Sequence, residues 1–175
     1  MDLDHASCYR VFQARDARFD GRLFIGESGE SFKAFSVLDG QGLKLLAQGG
    51  ITPLVITGRD SPAVRRRIAD LGLPHAVYGA QDKFAAAHAL LASLKLEWPD
   101  IAVMGDDWPD LPLMTRAAFA CAPANAHAEV RAVAHHVTSA RGGEGAVREC
   151  CDLLLIAAGR YATLLHGHLT TLDRV

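Results

Sequence analysis

Residues 51–73, ITPLVITGRDSPAVRRRIADLGL, join an apolar run to a segment with helical periodicity. The first seven residues are largely apolar, which is typical of a strand that is buried on both faces of a sheet. Ser61 and Pro62 predict the start of a helix, and Gly72 predicts its end. A buried strand followed by a helix is the repeating unit of a parallel sheet, so the stretch predicts an α/β fold.

The same alternation continues toward the C-terminus. Further strand-like runs are HAVYG (75–79), DIAVMGDD (100–107), FACA (119–122) and HVTS (136–139). The segment EGAVRECCDLLLIAAGRY (144–161) predicts one long final helix, and the residues after it are expected to form a tail. We predict a single domain over residues 1–175, with a Rossmann-like parallel sheet that carries helices on both faces.

Residues 21–36, GRLFIGESGESFKAFS, break this alternation. Two β-like runs flank GESGE, which predicts a β-hairpin inserted between the first strand and the first helix. The largely apolar residues 23–25 and 32–35 favour burial of this hairpin in an oligomer, because an isolated hairpin is only marginally stable in water. The alternative is a hairpin that protrudes into solvent.

The composition narrows the classes of function. Lys and Arg number 18 against 20 Asp and Glu, so the chain lacks the basic surplus that nucleic-acid binding usually requires. The apolar runs are much shorter than the roughly 20 residues that span a bilayer. The first ten residues, MDLDHASCYR, are acidic and have no apolar centre, unlike a secretory signal. We expect a cytoplasmic protein that binds neither nucleic acid nor membrane.

The ends of the predicted strands carry the candidate functional residues, because ligands of open α/β sheets bind at the carboxyl edge. Thr57 and Gly58 follow one strand, Lys83 opens the helix after the next strand, and Asp106 and Asp107 end a third strand. In this order and spacing they resemble the second, third and fourth motifs of the haloacid dehalogenase superfamily of phosphatases. The resemblance implies that the first three residues bind phosphate and that the two aspartates are magnesium-binding positions.

The resemblance is specific to one subfamily. Residues 20–50 and 140–161 are similar to the corresponding segments of 3-deoxy-D-manno-octulosonate 8-phosphate (KDO 8-phosphate) phosphatases. The similarity covers roughly residues 9–161. It implies a fold without a large cap domain and a homotetramer that is built on the hairpin of residues 21–36. In that subfamily a neighbouring subunit helps to close each active site.

The first motif departs from the pattern of the family, Asp-x-Asp-Gly-x-x-x-Asp-Gly. The Asp-Gly pair at 20–21 and the hairpin after it set the frame, which places Gln13 at the nucleophile position and Arg15 at the acid/base position. A frame in which Asp16 is the nucleophile puts Arg18 at the second position and loses the match to the Asp-Gly pair. None of the catalytic residues of the first motif is therefore intact.

These replacements predict the loss of hydrolysis. A neutral amide is a weak nucleophile, and a guanidinium stays protonated and cannot act as an acid/base group. The lost carboxylates and the added cation also predict the loss of Mg²⁺, so we expect no cofactor and no metal on Asp106 and Asp107. Arg15, Lys83 and Asp106 together carry one net positive charge, which favours a bound anion. The resulting prediction is a pseudoenzyme that binds a small phosphorylated sugar or another anion, as a binding or regulatory protein.

Other interpretations stay open. The chain could be an active sugar-phosphate phosphatase that uses another nucleophile, such as activated water, or an enzyme of another reaction class that reuses the phosphate pocket. Arg15 could instead pair with Asp106 or Asp107 and fill the site. Lys83 could be a solvated lysine in the first turn of its helix, and Thr57 with Gly58 could form an ordinary turn.

Overall fold

The computed structural model describes the backbone of residues 11–14, 24–26 and 29–32 and all atoms of residues 33–170. The strands are β1 (Val11–Ala14), β2 (Phe24–Gly26), β3 (Gly29–Phe32), β4 (Thr52–Ile56), β5 (His75–Val77), β6 (Ile101–Met104), β7 (Phe119–Ala122) and β8 (His136–Val137). The α-helices are α1 (Val37–Gln48), α2 (Pro62–Leu71), α3 (Lys83–Leu94), α4 (Leu111–Met114), α5 (Ala128–Val133), α6 (Ala146–Ala157) and α7 (Tyr161–Thr170). Single 3-10 turns precede β6 (Trp98–Asp100) and α4 (Trp108–Asp110).

One parallel sheet organises the fold. Its strand order is β5-β4-β1-β6-β7-β8, and every pair of neighbours in it is parallel. Strands β2 and β3 pair separately as an antiparallel hairpin between β1 and α1. The predicted α/β fold with a hairpin after the first strand is confirmed. Because β1 lies between β4 and β6, the carboxyl ends of these three parallel strands lie side by side.

Helices cover both faces of the sheet, as predicted. On one face, α1 and α6 pack together over residues such as Met104 and Cys121. On the other face, α3, α4 and α5 cover Leu54, Ile56 and Val103. Side chains of successive residues on a strand point to opposite faces, so a strand with both faces covered becomes apolar throughout. This explains the nearly continuous apolar run that identified β4 in the sequence.

The helix boundaries follow their capping residues. Ser61 is the N-cap of α2, Pro62 is its first residue, and Gly72 ends it in the left-handed region at φ 65°. The side chain of Asp82 accepts a hydrogen bond from the backbone N–H of Ala85 at 3.0 Å and so begins α3. The helix starts predicted at Ser61–Pro62 and at Lys83 are confirmed.

The final helix is not one element, which corrects the prediction of a single helix over 144–161. Helix α6 stops at Ala157, and Gly159 adopts a positive φ of 65°. The backbone N–H of Arg160 then donates to the carbonyl of Leu155 at 2.8 Å and closes the helix end. The chain continues in α7, which includes His166 and His168, so these histidines do not lie in an irregular tail.

The hairpin and the helices bear on two further predictions. Strands β2 and β3 lie within the predicted hairpin of residues 21–36, whose role in assembly stays a prediction. None of the helices in the described part of the chain has the length and apolarity to cross a bilayer.

Candidate functional site

Thr57 lies at the carboxyl end of β4 and is completely buried. Its backbone N–H donates to the carbonyl of Val77 at 2.9 Å, and its carbonyl accepts from Ala80 at 2.9 Å. Its Oγ1 accepts a hydrogen bond from the backbone N–H of Arg59 at 3.1 Å. These bonds join the loop after β4 to the loop after β5, which leads directly into α3.

Lys83 is the first residue of α3, and its ammonium is buried in the protein. Only 5% of Lys83 is exposed, and its Nζ donates to Oδ1 of Asp110 at 2.9 Å. Asp110 is fully buried. The interpretation of Lys83 as a solvated first-turn lysine is therefore wrong. The pair connects α3 to the loop after β6.

Asp110 also organises the loop that carries the two predicted metal-binding aspartates. Its Oδ2 accepts hydrogen bonds from the backbone N–H groups of Asp106 at 3.1 Å and Asp107 at 3.3 Å. Gly105 packs directly on Asp110, since a Cβ at position 105 would lie 2.5 Å from the Cβ of Asp110. Asp110 lies in the segment of the fourth motif, but the sequence alone predicted no separate role for it. The signal was its spacing of three and four residues from the two aspartates, which lets one carboxylate reach both N–H groups.

The pairing of Lys83 with Asp110 corrects the predicted charge of the site. The count of one net positive charge left out Asp107 and Asp110, and the carboxylate of Asp110 offsets the ammonium of Lys83 at 2.9 Å. With both carboxylates included, the two cations and three aspartates sum to a net charge of −1. Electrostatic attraction of an anion therefore depends on local donors rather than on a general positive charge.

Asp106 and Asp107 offer the oxygen ligands that Mg²⁺ prefers. Asp106 is half-buried, and its carbonyl accepts from the backbone N–H of His127 at 2.9 Å. Asp107 is exposed, and its Oδ1 accepts from the backbone N–H of Trp108 at 2.9 Å. Mg²⁺ is commonly bound by one or two protein carboxylates and keeps several waters, so the carboxylates of Asp106 and Asp107 are ligands of the kind that it binds. Within the described part of the chain, no three Asp, Glu, His or Cys side chains converge on a point.

Gln13 belongs to the central strand β1, between β4 and β6. Its Cα is level with those of Leu54 and Val103, three residues before Thr57 and Asp106 on their strands. At about 3.3 Å per residue, that difference corresponds to about 10 Å along the strand direction. The register does not bring Gln13 level with Thr57 and Asp106, so its assignment to the nucleophile position rests on the sequence alone. Arg15 lies outside the described residues.

Comparison with known proteins places this site in a family. The model of haloacid dehalogenase-like hydrolases matches residues 75–148. The KDO 8-phosphate phosphatase KdsC of Yersinia pestis is 42% identical over 138 residues, which cover 79% of this chain and 74% of the relative. This chain belongs to the KDO 8-phosphate phosphatase family. The agreement confirms the resemblance that was inferred from the strand-end motifs.

Solved structures of the family share the fold and contain ligands. The KDO 8-phosphate phosphatase of Moraxella catarrhalis, in complex with magnesium, phosphate and KDO, has a TM-score of 0.88 and 36% identity, with 94% of this chain and 95% of that chain covered. The cobalt-bound enzyme of Haemophilus influenzae has a TM-score of 0.84 and 35% identity, with 90% and 94% covered. Members of this family therefore bind metal ions, and one binds phosphate and KDO.

Proposed function

We propose that this member of the KDO 8-phosphate phosphatase family binds a small phosphorylated sugar, or a related anion, without hydrolysing it. The observation that carries the proposal is the buried pair of Lys83 and Asp110 at the carboxyl edge of the sheet. Desolvating such a pair is costly and seldom adds to stability by itself. Its presence at the carboxyl edge of the sheet, where ligands of open α/β sheets bind, supports a ligand-binding role.

The donors of phosphate-type ligands are present on two adjoining loops. The hydroxyl of Thr57 lies at the end of β4, and the ammonium of Lys83 is held at the start of α3 by Asp110. The ammonium of Lys83 is a charged donor, and its bond to Asp110 fixes its position. Charge-assisted hydrogen bonds to a phosphoryl oxygen are stronger than neutral ones, and a dry environment strengthens them further. Thr57, Gly58 and Lys83 are therefore our proposed phosphate-binding residues, with Arg15 as a further donor.

The absence of hydrolysis is proposed from the first motif. A carboxylate can attack phosphorus and form an acyl phosphate because it is anionic, whereas the amide of Gln13 is neutral. Arg15 cannot exchange a proton with a leaving group at physiological pH. A protein with these residues would bind the phosphorylated ligand without hydrolysing it.

Binding can be tested by calorimetric titration of KDO 8-phosphate into the purified protein. We expect saturable binding that Thr57→Val weakens, because valine keeps the shape of threonine and removes its hydroxyl. Thr115→Val is the matched control, since Thr115 is exposed and its hydroxyl donates to the carbonyl of Leu111 in the preceding turn at 2.9 Å. Absence of binding by the wild type, or equal loss in both variants, would contradict the proposal.

Loss of magnesium is a second part of the proposal. We propose that the guanidinium of Arg15 takes the place of the ion, directed at Asp106 or Asp107 or at a bound anion. At ~4 Å and an effective dielectric of about 20, two unit charges interact with about 4 kcal/mol, and a divalent ion beside arginine would meet about twice that repulsion. Titration of Mg²⁺ should show no millimolar site in the wild type and a new site in the double variant Gln13→Asp with Arg15→Asp. A saturable magnesium site in the wild type would refute this part.

We also propose a homotetramer that is built on the hairpin. Val37 and Leu38 in the first turn of α1, which follows the hairpin in the sequence, are 78% and 59% exposed, so this turn presents two large apolar side chains to solvent. Light scattering should give a tetramer, and Leu38→Glu should weaken it. Ile156→Glu is the matched control, because Ile156 is equally exposed at 58% but lies on α6. A wild-type monomer at micromolar concentration would contradict the assembly.

A second candidate function is hydrolysis with another nucleophile. The register of β1 supports this alternative, because Gln13 is not level with Thr57 and Asp106, so another group could be the nucleophile. In that case the phosphate-binding residues keep the same roles, and only the attacking group differs. Phosphate release by the wild type would distinguish the two functions.

A further inference from the structure

Trp108 stands out because its indole is held in place and yet is largely exposed. It lies on the loop after β6, between Asp107 and the buried Asp110. Its backbone N–H donates to Oδ1 of Asp107 at 2.9 Å, within the capping box that Asp107 and Asp110 form. Despite these ties, 59% of the residue is exposed.

The indole is oriented by His127 on the loop after β7. Its Nε1 donates to Nδ1 of His127 at 3.0 Å, and the two rings meet edge to face at 5.4 Å and 84°. His127 is in turn tied to the site, because its backbone N–H donates to the carbonyl of Asp106 at 2.9 Å. Oε2 of Glu129 lies 2.6 Å from the same Nδ1 and competes for it, since one ring nitrogen cannot donate to Glu129 and accept from Trp108 together. The edge-to-face packing does not depend on which contact is made.

All ring atoms of the indole except Nε1 are carbon, and Nε1 lies 3.0 Å from Nδ1 of His127. The surface that the ring offers to solvent is therefore mainly apolar. Trp98 provides the contrast: it is half-buried and stacks on Phe84 at 5.5 Å and 5°, which is ordinary packing. A fixed aromatic ring beside a few polar groups is typical of a small-ligand site, in which the ring supplies contact area and the polar groups set orientation.

We infer that Trp108 is a specificity-determining residue, whose ring packs against the sugar part of a phosphorylated sugar held at Thr57 and Lys83. This inference rests on the proposed function, because the phosphate group must first be bound at those two residues. The phosphate-binding residues recognise any phosphate, whereas the indole adds contact only for a ligand that carries a carbon skeleton. The ring should therefore favour a sugar phosphate over inorganic phosphate.

The test compares two ligands in matched variants by calorimetry. In Trp108→Ala we expect the affinity for KDO 8-phosphate to fall about tenfold, and the affinity for inorganic phosphate to stay within about twofold. Trp108→Phe keeps an aromatic face and loses the N–H, so it should retain most of the affinity for KDO 8-phosphate. If Trp108 acted only through its hydrogen bond to His127, Phe and Ala would be equally damaging. Circular dichroism of each variant checks that it is folded.

Fluorescence gives an independent readout, because the chain has only two tryptophans. In Trp98→Phe, the emission of Trp108 should change on saturation with KDO 8-phosphate. In Trp108→Phe, the emission of Trp98 should not change. Equal losses for both ligands in Trp108→Ala, or no loss for either, would overturn this inference alone. If the wild type bound neither ligand, the proposed function and this inference would fail together.

Discussion

Asp110→Asn is the substitution that should damage the described site most. In the wild type, Oδ1 of Asp110 accepts from Nζ of Lys83 at 2.9 Å, and Oδ2 accepts from the N–H groups of Asp106 and Asp107. Asparagine has almost the same shape but replaces one oxygen by an NH₂ group. Whichever way the amide turns, its NH₂ group faces a donor, either the ammonium or the two backbone N–H groups.

The expected loss of stability is large because the pair is buried. Lys83 is 5% exposed and Asp110 is fully buried, so the ammonium would lose its nearby carboxylate in a dry environment. Breaking a buried ion pair by removing one partner costs about 3–5 kcal/mol. In a chain of this size, 1 kcal/mol corresponds to about 2–4 °C, so the melting temperature should fall by about 6–20 °C.

The assay is urea unfolding followed by circular dichroism at one protein concentration, with two comparison variants. Asp70→Asn breaks the exposed pair of Asp70 with Arg66, at 2.9 Å, and should cost less than about 0.5 kcal/mol. Lys83→Met combined with Asp110→Asn removes the ammonium and lets the amide oxygen turn to the backbone N–H groups. This double variant should recover about half of the lost free energy of unfolding. A loss below about 1 kcal/mol in Asp110→Asn, or an additive loss in the double variant, would refute the reasoning.

Three further predictions concern stability. Burial raises the pKa of Asp39 above its ordinary value of 3.8, so the folded state binds this proton more tightly than the unfolded state. The free energy of unfolding of the wild type relative to Asp39→Asn should therefore rise as the pH falls through the folded-state pKa. A flat or opposite trend in acid titration would contradict this. Burial also acts to raise the pKa of Glu149, but hydrogen bonds from Ser139 and Ala140 and the nearby His136 outweigh it and lower the pKa below 4.5. The free energy of unfolding of the wild type should therefore exceed that of Glu149→Gln above about pH 4.5, and the difference should shrink below that pH. Gly105→Ala should cost about 1–3 kcal/mol in urea unfolding, because the added Cβ would lie 2.5 Å from Asp110 and 2.7 Å from Sδ of Met114. Gly58→Ala should be close to neutral, because among the described residues its Cβ would meet just the carbonyl of Ala80, at 3.5 Å. Similar losses in both variants would show that the close approach at position 105 is not tight.

The fold was predictable because its signals are local. The apolar run of β4 and the capping residues Ser61, Gly72 and Asp82 each act within one turn or strand of their own position. The same holds for the candidate residues Thr57 and Lys83, which follow strands whose ends share one edge of the sheet. Strand–helix alternation and the order of the motifs were therefore sufficient to predict the fold and the family.

The remaining features depend on contacts between distant residues or on a backbone choice that the pattern leaves open. The partner of Lys83 lies 27 positions away, so the buried pair and the corrected charge of the site followed only from the structure. The apolar pattern runs through Gly159, and its positive φ, rather than its position in the pattern, divides α6 from α7. The contact of Trp108 with His127 spans 19 positions and has no signal in either segment. The register of β1 likewise became visible only through its pairing with β4 and β6.

The central claim, that this family member binds but does not hydrolyse its ligand, is tested most directly by phosphate release. Purified wild type would be incubated with KDO 8-phosphate and Mg²⁺, with the Yersinia pestis relative as a positive control for the assay. We predict no release above background from the wild type and no change in Gln13→Ala. Robust release by the wild type would contradict the claim. Loss of that release in Asp16→Asn would identify Asp16 as the nucleophile, and loss in Gln13→Ala would show that position 13 takes part in the chemistry.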